Sequence, residues 1–97
     1  MSVGRVMVVS GAYGIPPRRL WECRSQDDQI AWTVAALLAG RRLYPDLLWL
    51  GGVEAPMRVI AAARAVLRRE GILLQREARD VVDAAGEPFA TLNYFIQ

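Results

Sequence analysis

The stretch from Leu43 to Val53 decides between two architectures for this 97-residue chain. It reads Leu-Tyr-Pro-Asp-Leu-Leu-Trp-Leu-Gly-Gly-Val, which is an apolar run between a proline and two glycines. A proline at the first helical position followed by aspartate can begin a short helix, and Gly51 and Gly52 can end it. The same run is also compatible with a buried strand, because periodicity cannot separate the two over four residues.

The elements on either side of this stretch are the same in both architectures. Ser25 is expected to cap a helix whose first turn holds Asp27 and Asp28, where carboxylates offset the helix dipole. Gly40 is expected to close this helix. The spacing predicts one core-facing stripe. Its members are Ile30, Val34, Leu37 and Leu38.

A longer helix and a β-hairpin are predicted for the second half of the chain. Pro56 begins the helix, which runs to residue 70 and is ended by Gly71. Its predicted core face consists of Val59, Ala63, Val66 and Leu67. Residues 72–83 and 89–96 are expected to be strands around the turn at 84–88.

If the central run is helical, the fold is mainly α, with three helices followed by a C-terminal hairpin. If it is a strand, the fold is α/β with the order βαβαββ, and Gly51-Gly52 lies at a helix start where a phosphate can bind. In the second case the predicted first strand, Val3–Val9, is followed by an irregular, proline-containing loop that is longer than βα loops usually are. The helical architecture is therefore favoured.

The segment Gly40–Val53, followed by the Ala-rich helix and the Arg-Arg-Glu-Gly-Ile-Leu sequence at 68–73, resembles a winged helix-turn-helix domain over residues 26–96. The resemblance makes Leu43 a β-bridge residue and Gly52-Val53 the turn before a recognition helix at 56–70. It makes the hairpin at 72–96 the wing. The expected organisation is an N-terminal strand and proline-containing arm at 1–24 and a winged-helix domain at 25–97.

In the resembling family the recognition helix enters the DNA major groove and the wing contacts the backbone or minor groove. The resemblance therefore implies a small regulatory protein that binds double-stranded DNA. The candidate DNA-binding residues are Arg58, Met57, Arg64, Arg68, Arg41 and Arg42. Arg58 is the expected base contact, since arginine can bind guanine through two hydrogen bonds. Acidic residues at the wing tip, Asp80, Asp83 and Glu87, are expected to oppose phosphate binding.

The basic residues argue against catalysis. All twelve are arginine, and the chain contains neither His nor Lys. It therefore lacks the usual participants of Ser-His-Asp relays, Schiff bases, P-loops and most zinc sites. We expect a protein that is not an enzyme and uses no cofactor or metal. The single cysteine, Cys23, and the lack of a membrane-length apolar segment favour the cytoplasm.

Two other functions are also compatible with the sequence. The Ala-rich helix could pack against another protein, which makes the chain an inhibitor or adaptor of the kind that phages and mobile elements encode. The βαβαββ alternative instead implies a nucleotide-binding module at Gly51-Gly52, although no phosphate-binding motif is present. A homodimer is among the expected assemblies.

Overall fold

The computed structural model describes residues 20–97, in which three α-helices are followed by a two-stranded antiparallel hairpin. The elements are a 3-10 helix at Leu20–Glu22, α1 at Gln26–Leu38, α2 at Pro45–Leu50, α3 at Pro56–Arg69, β1 at Gln75–Val82 and β2 at Pro88–Phe95. The predicted strand Val3–Val9 and most of the expected arm lie outside the described residues. No helix within residues 20–97 is long and apolar enough to cross a membrane.

The strand interpretation of the central run is wrong, and with it the βαβαββ architecture, because residues 45–50 form a helix. Pro45 occupies the start of α2, where its missing N–H is not needed. At the other end, the Gly51 N–H donates to the Leu47 and Leu48 carbonyls, and Gly52 has a φ of 91°. The nucleotide-binding alternative depended on a strand here and therefore loses its basis.

The predicted capping of α1 is confirmed. The Ser25 hydroxyl accepts a hydrogen bond of 3.1 Å from the Asp28 N–H, which satisfies one of the free donors of the first turn. After Leu38 the chain leaves the helix through Gly40, whose φ of 86° lies in the region that glycine adopts without steric cost. Cap and glycine together explain why α1 has the bounds that the sequence indicates.

The core forms mainly between α1 and α3. The predicted face of α3 is buried in full. Val59, Ala63 and Leu67 have no exposed surface, and they pack with Val34 and Leu37 of α1 in one hydrophobic cluster. Leu38, expected in the same stripe, is half-buried at the edge of this cluster.

Leu43 connects the helices to the hairpin. It forms the expected β-bridge with Tyr94, in which the Leu43 N–H donates to the Tyr94 carbonyl at 2.9 Å and the Tyr94 N–H donates back at 2.8 Å. The hairpin pairs Gln75 with Phe95 and Val82 with Pro88. β1 is therefore shorter than the predicted strand at 72–83, whereas β2 has the predicted length and begins one residue earlier. Because Leu43 and Tyr94 are both buried, the bridge fixes one end of the hairpin against the core.

Ala55 adopts a strained conformation immediately before α3. Its φ of 47° and ψ of 60° are left-handed, a conformation that costs an L-residue about 1–2 kcal/mol. We expect Ala55→Gly to raise the free energy of unfolding by about 0.5–1 kcal/mol in urea denaturation, since glycine relieves this strain but has more entropy to lose. As a matched control, Gly52→Ala introduces the same kind of strain and should lower stability by about 1 kcal/mol. A destabilised Ala55→Gly variant would contradict the assignment of strain.

Candidate functional site

The outer face of α3 carries arginine at both ends and alanine between them. Arg58, Ala61, Ala65 and Arg68 follow one another at helical spacings of three and four, and all four are exposed. The opposite face is buried against α1. Small side chains between the two arginines let a bound molecule approach the helix backbone closely.

Arg58 and Arg68 have no ion pair, side-chain hydrogen bond or ring contact within residues 20–97. Each guanidinium therefore presents its donors to solvent, in the planar arrangement that matches a phosphate or the edge of guanine. Arg69 adds a third exposed positive charge in the last turn of α3. Of the candidate DNA-binding residues, Arg58 and Arg68 are the two that share this open face.

The three other candidate arginines, Arg41, Arg42 and Arg64, contact aromatic rings of the chain itself. The Arg41 guanidinium lies 5.4 Å from the centre of the Trp32 ring. Arg64 lies 5.8 Å from the ring of Tyr94. Such contacts stabilise a folded chain by about 0.5–1 kcal/mol at exposed sites. These side chains keep their charge, but ring packing restricts their reach.

Arg42 is held more firmly than the others. Its Nη1 atom donates to the Asn93 Oδ1 at 2.8 Å and to the Glu77 Oε2 at 3.1 Å, and its guanidinium lies 4.0 Å from the centre of the Phe95 ring. Strand residues alternate between the two faces of a hairpin, so Asn93 and Phe95 lie on the face opposite Tyr94. Arg42 is therefore not brought together with Arg64 or with the outer face of α3.

Two of the acidic residues on the hairpin, Asp83 and Glu77, form contacts within the fold. The Asp83 Oδ1 accepts hydrogen bonds of 2.9 Å from the N–H groups of Ala85 and Glu87, which closes the turn. The Glu77 carboxylate forms an ion pair of 3.1 Å with the Arg42 guanidinium. Asp80 and Glu87 are exposed, so two carboxylates still face solvent toward the tip of the wing.

Polar contacts also join β2 and β1 to the start of α2. The Thr91 hydroxyl donates to the Asp46 Oδ2 at 2.9 Å, and Arg79 donates to the Tyr44 hydroxyl at 3.2 Å. The hydrogen bond from Arg79 to Tyr44 raises the pKa of Arg79 above its ordinary value. These contacts place the hairpin beside α2 as well as beside α3.

Met57, the remaining nominated residue, lies in an apolar cleft rather than on the arginine face. The cleft has a volume of about 500 Å³ and lies between α2, the start of α3 and the hairpin. Its apolar walls are formed by Pro45, Trp49, Pro56, Met57, Ala78 and Leu92. Trp49 is 65% exposed and Met57 is 51% exposed, so both present large apolar surfaces to solvent.

Sequence reasoning missed this cleft, although α2 contained a signal. Pro45 and Leu48 are the buried residues of α2, while Leu47, Trp49 and Leu50 are all more than half exposed. A helix of six residues has fewer than two turns, and a single inward face cannot bury every apolar side chain of Pro-Asp-Leu-Leu-Trp-Leu. The excess of large apolar residues predicts an exposed surface.

Cys23 is half-buried at the edge of the core. Burial raises the pKa of its thiol, and the carboxylates of Asp28 and Glu22 raise it further. A raised pKa reduces the fraction of reactive thiolate at neutral pH. The environment suits a packing role and gives no support to nucleophilic chemistry at this residue.

In comparisons with known proteins, no family model, no curated protein and no solved structure matches this chain.

Proposed function

We propose that this chain is a small DNA-binding regulatory protein with a winged-helix layout, in which α3 is the recognition helix and the β1–β2 hairpin is the wing. The order of a helix, a bridge residue, a second helix, a turn, a third helix and a hairpin supports this layout. The observation that carries the proposal is the outer face of α3, where Arg58 and Arg68 are exposed with Ala61 and Ala65 between them.

Arg58 is the residue for base recognition, because it lies in the N-terminal half of α3, the part that enters the major groove. A two-bond contact from arginine to guanine contributes about 1–3 kcal/mol of discrimination. The neighbouring alanines offer at most a methyl contact to thymine. Arg68 and Arg69 lie in the last turn and are suited to phosphates, which position the helix without selecting sequence.

The low net charge of the chain predicts that DNA binding is weak and depends on salt. The net charge of the chain is +2, and the exposed acids Asp80 and Glu87 lie on the proposed wing. Three or four phosphate contacts would change log K by about −3 for each tenfold increase in salt. An affinity in the micromolar range at low salt follows for DNA of random sequence.

Fluorescence anisotropy of a labelled random-sequence duplex tests this function. We expect saturable binding at about 50 mM salt and a loss of about 50-fold in affinity at about 200 mM, because the released counterions oppose binding. Uncharged peptide nucleic acid duplex of the same sequence is the matched control and should not bind. Unchanged anisotropy at low salt and high protein concentration would contradict DNA binding.

The cleft favours a second candidate, a non-enzymatic protein-interaction factor that uses the same scaffold. Interface cores are enriched in tryptophan and methionine, and the cleft exposes one of each. Native purification followed by nuclease treatment separates the candidates. A stoichiometric protein companion that survives the nuclease supports an interaction factor, whereas recovery of the chain without one counts against it.

A further inference from the structure

Two leucines of α2 form an apolar surface that the described fold leaves open to solvent. Leu47 is 61% exposed and Leu50 is 73% exposed. Leu47, Leu50 and the capping Gly51 lie within an arc of about 100° around the helix axis, since successive helix residues are about 100° apart. Leu48 lies outside this arc and is buried in the core. We call the surface of Leu47 and Leu50 the leucine face of α2.

The described part of the chain begins at one edge of the leucine face. Leu20 is half-buried and packs against the hydrophobic core. Its Cδ2 atom lies 3.0 Å from the position that a Cβ would take at Gly51, so Leu20 fills the space beside the backbone of that glycine. The Cys23 N–H donates to the Leu20 carbonyl at 3.0 Å and closes the 3-10 helix. Residues 1–19 therefore join the fold directly beside the leucine face.

The chain before Leu20 is long enough to cross the leucine face. Ile15 precedes Leu20 by five residues, which span up to about 17 Å when extended. The two prolines between them, Pro16 and Pro17, favour an extended backbone. α2 has six residues and is therefore about 9 Å long. Ile15 and the residues before it can reach any point on the leucine face.

The composition of the first residues suits an apolar surface. Nine of residues 1–15 are apolar, and residues 6–9 form the unbroken run Val-Met-Val-Val. An exposed run with high β-propensity and no charge promotes aggregation, so we expect this run to be covered in the folded chain. Residues 1–19 carry three arginines and no acid, whereas residues 20–97 carry nine arginines and ten acids. The charges of the two parts are therefore complementary.

We propose that the apolar side chains of residues 3–15 pack on the leucine face of α2 and bury Leu47 and Leu50 within the same chain. A segment that is tethered by a few residues has an effective concentration in the millimolar range. A separate partner at micromolar concentration does not match this advantage. The contact is independent of the proposed DNA-binding function, because it involves neither α3 nor the hairpin.

Limited trypsin digestion of the full chain without DNA tests this packing, because Arg5 lies within the segment. Cleavage after Arg5 should be at least about 30-fold slower than in a synthetic peptide of residues 1–19, since the protease cuts only the open population. Leu47→Gln/Leu50→Gln should raise the rate at least about 10-fold, because two leucine side chains lose their burial. Glutamine is a good helix former and adds no charge that would attract the arginines of the segment, so α2 should be retained.

Leu73→Gln is the matched control. Leu73 is 64% exposed and borders a separate depression with Gly71 and Ile96, so this variant should leave cleavage after Arg5 unchanged. Cleavage after Arg64, within α3, reports unfolding of the whole domain and should be equally slow in all three proteins. If the double variant also accelerates cleavage after Arg64, the single variant Leu50→Gln replaces it.

Three results would overturn the packing. Cleavage of the parent chain after Arg5 at the rate of the peptide means that residues 3–15 leave the leucine face open to a foreign partner. Equal rates in the α2 variant and in Leu73→Gln mean that the segment packs elsewhere. Protection that increases with protein concentration over about 1–200 µM means that a second copy of the chain covers the face. A chain that binds DNA but fails this test retains the proposed function.

Discussion

The double variant Arg58→Ala/Arg68→Ala is expected to bind random-sequence duplex DNA about 100-fold more weakly than the parent chain at about 50 mM salt. Both arginines are exposed on the outer face of α3 and have no side-chain partner within the described residues. Of the two, Arg68 is the one assigned to a phosphate, so the slope of log K against log salt should become shallower by about one unit. Anisotropy titrations at four or five salt concentrations measure both quantities.

Folding should be unaffected by these changes, since neither side chain packs in the core. The charge-matched control is Arg24→Ala, compared with each single α3 variant, because Arg24 is exposed and lies neither on α3 nor on the proposed wing. We expect the control to lose no more than a few-fold in affinity. If it loses as much as the single α3 variants, binding depends on net charge alone and α3 is not the interface.

The local signals in this sequence predicted most of the helix and turn boundaries because their physical causes are local. Ser25 caps α1 through a donor three residues away, and Pro45 begins α2 because its ring already has the required φ. Gly40 and Gly71 end helices in left-handed conformations. None of these effects requires knowledge of the tertiary fold.

Local signals do not decide whether residues 47–50 form a strand or a helix. Over four apolar residues, α and β patterns bury side chains equally well, and only the surroundings decide. In the fold, Leu43 pairs with Tyr94, and α2 begins two residues later at Pro45. As a helix, this segment buries Leu48 in the core and places Asp46 beside Thr91 of the hairpin. That pairing is distant in sequence: the family resemblance predicts Leu43 as a bridge residue, but its partner Tyr94 is seen only in the structure.

The candidate site was predictable only in part for the same reason. Arg58 and Arg68 lie on one face of α3 because of their helical spacing, and this spacing can be read from the sequence. The restraint on Arg42 does not, because its partner Asn93 is 51 residues away. The cleft likewise needs Trp49, Met57 and Leu92 from three elements, and their convergence appears only once the hairpin is placed against α2 and α3.

The hairpin is placed chiefly by Tyr94, which is 1% exposed and is one of the largest fully buried side chains in the described chain. Its hydroxyl forms no hydrogen bond within residues 20–97, so Tyr94→Phe keeps the ring and should cost less than about 1 kcal/mol. The same ring lies beneath the Arg64 guanidinium. Tyr94→Phe is therefore the reference variant for the contribution of the ring itself.

Tyr94→Ala is expected to lower the free energy of unfolding by about 3–5 kcal/mol, the usual cost of truncating a buried aromatic residue. Because a domain of this size has about 5–15 kcal/mol in total, the melting temperature should fall by more than about 10 °C. Thermal and urea denaturation followed by circular dichroism measure the loss. A cost near that of Tyr94→Phe would mean that the hairpin is not held by this ring. In that case neither the proposed wing nor the hairpin wall of the cleft would be fixed against the helices.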